Sequence, residues 1–173
     1  VDAAVEAGFE PLAIDTAALV CAGGSDHALA RIAEQAVRVL REGRSPILHT
    51  ARGPADTRIG TAIAALQAQE GLAPGQARIE AGRRLGQRLG ALARQILQDE
   101  PLERLLLSGG DTSSQVVKAL APDALLVAAR LTPGAPLCRL VSHQPWLDGL
   151  EVALKGGQMG DERFFETARL GRD

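Results

Sequence analysis

Leu105-Leu106-Leu107-Ser108-Gly109-Gly110-Asp111-Thr112-Ser113-Ser114 is the stretch that decides the fold. An apolar run of strand length ends on a Ser-Gly-Gly-Asp turn. A helical pattern then opens at about Ser114 and runs to Leu120, ahead of Pro122. A strand that turns directly into a helix is the building unit of layered α/β proteins, whose ligands sit beyond the carboxyl ends of strands.

The same alternation continues on both sides. Upstream lies a long helical pattern from Pro74 to Asp99, carrying Gly82, Gly86 and Gly90 at four-residue steps. Each glycine costs about 1 kcal/mol of helix stability relative to alanine, so the stripe predicts a backbone packed closely on that face. Further upstream the spacing predicts a helix over 57–69, a strand over 46–50 and a helix over 27–42 closed by Gly43. Before these come a turn at Ala22-Gly23-Gly24, a strand over 10–14 and a short apolar helix over 1–7 stopped by Gly8. Downstream, strands are predicted over 124–131, 136–141 and 151–154, then a last helix over 161–168. Helices alternating with strands, then a cluster of strands, predict a layered α/β fold. Its sheet is expected to be largely parallel and flanked by helices, with antiparallel strands near the C-terminus. No repeat or linker interrupts the chain, so residues 1–173 read as one domain.

Composition narrows the function. The 173 residues carry 19 Lys+Arg against 21 Asp+Glu, for a formal net charge of −2. With three Phe, one Trp and no Tyr, the chain lacks both the positive excess and the stacking rings of a nucleic-acid groove. No apolar run approaches the ~20 residues that span a bilayer. Cys21 and Cys138 form no CxxC pair, which argues against a disulfide framework. A cytoplasmic, globular, small-molecule protein is expected. The opening helix has only Asp2 as a possible cap, which predicts a piece of a longer protein.

Two strand-to-loop-to-helix junctions could carry chemistry. At the first, Gly109 and Gly110 let a backbone approach a ligand, and Thr112 and Ser113 offer hydroxyls. The helix start supplies free N–H groups suited to phosphate. Asp111 would repel bare phosphate, so it either caps the helix or holds a Mg²⁺ already bound to phosphates. The alternative is a tight turn with an N-cap. The second junction is Leu154-Lys155-Gly156-Gly157-Gln158-Met159-Gly160-Asp161. Lys155 can place a point charge on a phosphate, and Gly156, Gly157 and Gly160 exceed what a turn needs. The alternative there is a flexible loop with a solvated lysine. Two such loops in one small domain favour a shared anionic ligand. P-loop and GxGxxG signatures are absent. His27, His49 and His143 are scattered without metal-ligand spacing and read as structural or exposed. Arg52, after the strand ending in His49-Thr50, could line the same sheet edge. The Thr132-Pro133-Gly134-Ala135-Pro136 turn reads as structural.

Taken together, three segments resemble the C-terminal nucleotide-binding domain of the four-carbon acid sugar kinase family. They are Leu107 to Ser113, Leu131 to Pro136, and Leu154 to Glu162 with Phe164-Phe165. Some members of this family have been labelled Hrp-dependent type III effectors. The likeness extends along essentially the whole chain, including Gly8-Phe9-Glu10 and His49-Thr50 with Gly53-Pro54. The resemblance implies an ATP-dependent kinase of two domains. An N-terminal domain would hold the sugar acid and this domain would hold ATP, with transfer to the terminal hydroxyl of a 3-oxo-tetronate-like acid. It implies ATP contacts from Gly109, Gly110, Asp111, Thr112 and Gly157. Relatives usually read Lys-Ser-Gly-Asn-Phe-Gly in the late loop, where this chain has Lys155-Gly156-Gly157-Gln158-Met159-Gly160. Their Ser-Gly-Ser strand end, which also touches nucleotide, would fall before Val1. The piece is therefore expected to bind nucleotide weakly and not to complete catalysis alone. A non-catalytic nucleotide- or ligand-sensing domain and an unrelated phosphate-ester hydrolase are the alternatives.

Overall fold

The computed structural model describes residues 1–21, 25–53, 55–157 and 159–171. The predicted turn at Ala22-Gly23-Gly24, Pro54 of the early loop and Gln158 of the late loop lie outside them.

Helix α1 (Asp2–Glu6) leads into strand β1 (Phe9–Ala13). A short helix α2 (Thr16–Val20) and the amphipathic α3 (Ser25–Arg41) follow, then strand β2 (Ser45–His49). Helices α4 (Arg58–Glu70) and α5 (Pro74–Asp99) precede strand β3 (Arg104–Ser108) and helix α6 (Gly110–Leu120). Strands β4 (Ala124–Thr132), β5 (Ala135–Val141) and β6 (Glu151–Lys155) and helix α7 (Phe164–Leu170) complete the order. The expected α/β class, with antiparallel strands toward the C-terminal half, is what the chain adopts.

The strands form two hydrogen-bonded groups. β1 and β2 pair in parallel, and a four-stranded sheet runs β3-β6-β5-β4. Within it β3 and β6 are parallel, while β5 is antiparallel to both of its neighbours. Helix α2 is an addition to the predicted elements. Its five residues are too few to show a period, but Asp15 caps it by accepting from the Ala18 amide at 3.0 Å. Pro74 opens α5, and Gln76 Oε1 accepts from the Ala73 amide at 3.3 Å.

Packing follows the apolar periods. Ala33, Ala36 and Val37 of α3 and Leu92 and Ile96 of α5 cover one side of β1 with Ile14. Val116 and Leu120 of α6 press with Leu97 of α5 onto Leu107, Val152 and Leu140 of the four-stranded sheet. Ala135, Ala153 and Phe164 fill the other side, and Phe9, Ile47 and Leu106 meet near Phe165.

The glycine stripe of α5 works as expected at two of its three positions. A Cβ on Gly86 would lie 2.6 Å from Gln115 Cγ, and one on Gly90 would overlap the Ala119 Cβ, so α6 rests directly on this face. Gly82 has nothing within 4 Å and takes no part in the close approach. Among the described residues no helix is long and apolar enough to cross a membrane.

Candidate nucleotide site at the ends of β3 and β6

Both glycine-rich junctions leave the sheet at one margin. β3 and β6 are adjacent and parallel, with Ser108 opposite Lys155. The bends that follow are therefore neighbours, and the Gly109 amide donates to the Lys155 carbonyl at 2.8 Å. Gly109 has φ 110°, in the region where a side chain would be strained. That conformation swings the chain from β3 straight into α6, and the Gly109 carbonyl accepts the first helical bond from Ser113 at 2.8 Å.

The helix starts earlier than predicted. It opens at Gly110, not at about Ser114, so Gly110, Asp111 and Thr112 form its first turn. Their N–H groups precede any helical acceptor, and no side chain caps the end because Gly109 has none. Among the described residues these three amides have no hydrogen-bond partner, and with the positive end of the helix dipole they stand at the sheet margin. Gly110 has nothing within 4 Å of where a Cβ would stand, so the approach is clear. Ser114 turns its hydroxyl back to the Gly110 carbonyl at 2.9 Å. Ser113 is 6% exposed, and its Oγ is buried with no hydrogen-bond partner among the described residues. A buried hydroxyl in this state costs about 1–3 kcal/mol.

The second bend is more tightly built than a solvated loop. Lys155 folds its ammonium back over the loop, donating to the carbonyls of Gly156 at 3.4 Å and Gly157 at 3.3 Å. The same ammonium stands 5.8 Å from the centre of the Phe164 ring. Met159 packs its Cγ 3.1 Å from the Cβ direction of Gly156 and seats its methyl on Gly134. Gly134 has φ 77° in the β4–β5 turn, so that turn borders the late loop. Gly157, like Gly110, has nothing within 4 Å. Gly160 has φ 72° and lies against Lys155 and Phe164.

A second constellation stands at the ends of β1 and β2. Buried His49 accepts at Nδ1 from the Arg58 guanidinium at 2.9 Å. Arg58 also donates to the His49 carbonyl at 3.1 Å and the Ile14 carbonyl at 3.4 Å. Asp56 anchors Arg58 at 2.7 Å and accepts the Arg52 amide at 2.9 Å. The Arg58 guanidinium, with the Arg58 amide at 3.0 Å and the Arg52 amide, holds the Asp56 carboxyl well below the usual range. Burial, with the charges of Arg58 and Arg52, pushes the His49 ring down. Sequence reasoning picked out His49 and Arg52 here but missed Asp56 and Arg58. The structure ties the Arg52 side chain to Asp2 at 3.3 Å. A cavity of about 250 Å³ at the end of β1, lined among others by Ile14, Asp15, His27 and Arg31, includes none of the glycine-loop residues.

Among the described residues no cluster of three or more His, Cys, Asp or Glu side chains could hold a metal ion. Asp111 is the one carboxylate in the first turn of α6. It suits a Mg²⁺ that arrives with phosphate, because such an ion needs only one or two protein carboxylates.

Comparison with known proteins places the chain among described relatives. Residues 1–165 match the family described as "Nucleotide-binding C-terminal domain". A 3-oxo-isoapionate kinase from Paraburkholderia graminis is 43% identical over 142 residues, covering 82% of this chain and 29% of that protein. A D-threonate kinase from Salmonella typhimurium is 29% identical over 153 residues, covering 88% of this chain and 34% of that protein. The crystal structure of a Haemophilus influenzae protein of the DUF1537 family superposes with a TM-score of 0.70. It is 21% identical, and the match covers 96% of this chain and 35% of that one. The chain thus spans about a third of the length of these relatives.

Proposed function

The chain belongs to the nucleotide-binding C-terminal domain family shared by four-carbon acid sugar kinases, and on that premise we propose that it is the ATP-holding part of such a kinase. The reaction transfers the γ-phosphoryl group of ATP to the terminal hydroxyl of a four-carbon acid sugar of the 3-oxo-tetronate kind. The observation that carries this reading is the uncapped start of α6 lying beside the Gly156-Gly157 bend.

Each residue has a definite task. The amides of Gly110, Asp111 and Thr112 bind phosphate oxygens and neutralise their charge without reorganising, which is the main catalytic demand of phosphoryl transfer. Gly109 contributes its conformation, since its own amide is already spent on Lys155. Gly157 lets the phosphate chain approach the second bend, and the Gly156 and Gly160 bends set the shape of that loop. The Lys155 ammonium adds positive charge beside the same margin. Asp111 would hold Mg²⁺ together with the phosphates, and that ion would offset their charge.

The sugar acid and the base that takes its hydroxyl proton belong to the remaining two thirds of the longer protein, by analogy with the length of the relatives. The test is an ATP-consumption assay on the full-length protein with 3-oxo-tetronate, D-threonate and 3-oxo-isoapionate. Turnover with one of them supports the proposal. ATP binding without turnover on any of them would favour a nucleotide sensor, and phosphate-ester hydrolysis without nucleotide would favour a hydrolase.

A further inference from the structure

Side-chain contacts at both ends of the strands give the two parallel pairs one direction. Arg104, which opens β3, donates to the carbonyls of Ala168 and Arg169. Arg169 in turn donates to the Ala7 carbonyl, just ahead of β1, at 2.6 Å. Arg41, ahead of β2, pairs with Glu100, ahead of β3, at 3.0 Å. The starts of β1, β2 and β3 therefore stand together. Beyond the other end of β1, Arg84 of α5 donates to the Val20 carbonyl at 3.1 Å. Two residues on, Gly86 lies against Gln115 of α6, the helix that follows β3. The carboxyl ends of β2, β1, β3 and β6 thus open on one margin, where ligands of such sheets sit. The loop after β2 shares that margin with the two glycine bends. β1 is the nearer of its pair to β3 and α7, since its Phe9 ring meets Phe165 at 6.3 Å and lies under Arg169 at 4.4 Å. With strands about 4.8 Å apart, the β2 loop stands about 10 Å or more from the β3 bend.

That loop carries two arginines in different states. Arg58 is spent on Asp56, on the His49 ring and on the His49 and Ile14 carbonyls. Arg52 has its amide anchored on Asp56 at 2.9 Å, but its guanidinium meets only the surface carboxylate of Asp2, at 3.3 Å, among the described residues. Both side chains of that pair are exposed, 48% and 75%. Such pairs contribute about 0–1 kcal/mol, so a better-placed anion displaces Asp2. Gly53 beside it has nothing within 4 Å of where a Cβ would stand, so the approach is open.

We propose that Arg52 binds the carboxylate of the acid whose terminal hydroxyl is phosphorylated. The inference rests on the kinase reading and adds one grip on the acid from this domain. Phosphates held on the α6 amides occupy the β3 end of the margin. The acid lies past the γ-phosphate, toward β2, with its reacting hydroxyl first and its carboxylate last. The cation at the β2 end meets that last group, and a planar guanidinium matches a carboxylate with two parallel hydrogen bonds.

The test is steady-state kinetics and ATP titration on the full-length protein, with 3-oxo-tetronate, D-threonate and 3-oxo-isoapionate as probes. With the acid that the parent phosphorylates, Arg52→Gln is expected to raise KM for the acid about tenfold or more, while kcat and the ATP Kd stay within about twofold. Arg52→Lys, which keeps the charge and loses the fork, should recover part of that KM, and it carries the same readout if the Gln variant does not fold. Asp2→Asn frees the guanidinium and should lower this KM or leave it unchanged. A merely structural Arg52–Asp2 pair would instead make the Asp2 and Arg52 variants alike. The proposal is overturned by an unchanged KM in Arg52→Gln, or by an Asp2→Asn variant whose KM rises to match it. Weaker ATP binding with the KM intact would put the guanidinium on phosphate and overturn it as well. These outcomes leave the kinase reading standing, whereas a parent that turns over none of the three acids overturns both.

Discussion

The Gly109 amide and the Lys155 carbonyl are hydrogen-bonded at 2.8 Å, one rung beyond the last register pair of β3 and β6. This bond brings two bends separated by more than forty residues of chain to one margin of the sheet. It also removes the Gly109 amide from the donors available to a ligand. The open donors are those of Gly110, Asp111 and Thr112 at the start of α6.

The charge of Lys155 should be felt most by the most highly charged nucleotide. Lys155→Met in the full-length protein is expected to weaken ATP about fivefold, equivalent to about 1 kcal/mol for a solvent-screened charge. AMP should lose less. Calorimetric titration with both nucleotides checks this. Equal losses would reduce Lys155 to a strut that holds its own loop through the Gly156 and Gly157 carbonyls.

The glycines of α5 predict opposite signs of stability change along one helix. Gly90→Val drives a side chain into Ala119 and the Gln115 carbonyl of α6, and is expected to cost about 1–3 kcal/mol. Gly82→Ala meets nothing within 4 Å and should stabilise by about 0.5–1 kcal/mol. Urea unfolding of the two variants decides it. A destabilised Gly82→Ala, or a neutral Gly90→Val, would contradict the packing of α6 on α5.

His49 predicts a pH dependence. Its folded-state ring is pushed below the ordinary value of about 6.5 by burial and by Arg58 and Arg52. The unfolded chain therefore binds the proton first, and this contribution to stability is complete above about pH 6.5 and lost progressively as the pH falls below it. Asp56 adds a separate loss at lower pH, because its depressed carboxyl must be protonated as well. The His49 ring should titrate below the free value by NMR, with Nδ1 unprotonated where it accepts from Arg58. His49→Gln should flatten the stability profile just below about pH 6.5. A ring titrating at or above about 6.5 would contradict the buried Arg58 contact.

Much of this fold could be read from residue order, and particular residues show where the reading stopped. The long periods of α3 and α5 and the closing glycine after α3 are local signals, and they appear where the spacing places them. Helix α2 has too few residues to carry a period. α6 starts at Gly110, ahead of the Ser114 expected from the sequence, in which Gly109 and Gly110 both look like turn residues. Only Gly109 takes a left-handed φ, while Gly110 is already helical. The Gly82 position looked like its neighbours, and only the crossing point of α6 separates them. At the candidate site, the two bends were visible as strings of small residues. The fold of Lys155 onto its own carbonyls depends on loop shape that no string reveals. The Asp56–Arg58–His49 cluster was missed for a related reason. Its parts are ordinary loop and helix residues until β1 and β2 bring the Ile14 and His49 carbonyls together under Arg58.

The central claim is that the start of α6 and the Gly157 bend grip one phosphate chain between them. Its most direct test is the ATP affinity, with Mg²⁺, of full-length Gly110→Val and Gly157→Val by calorimetry, with melting temperature measured alongside. Neither Cβ meets an atom within 4 Å in the free protein, so both variants should fold as the parent does. Each is expected to bind ATP about tenfold more weakly or worse, a loss of about 1.4 kcal/mol or more. Parental affinity in either folded variant would contradict the claim.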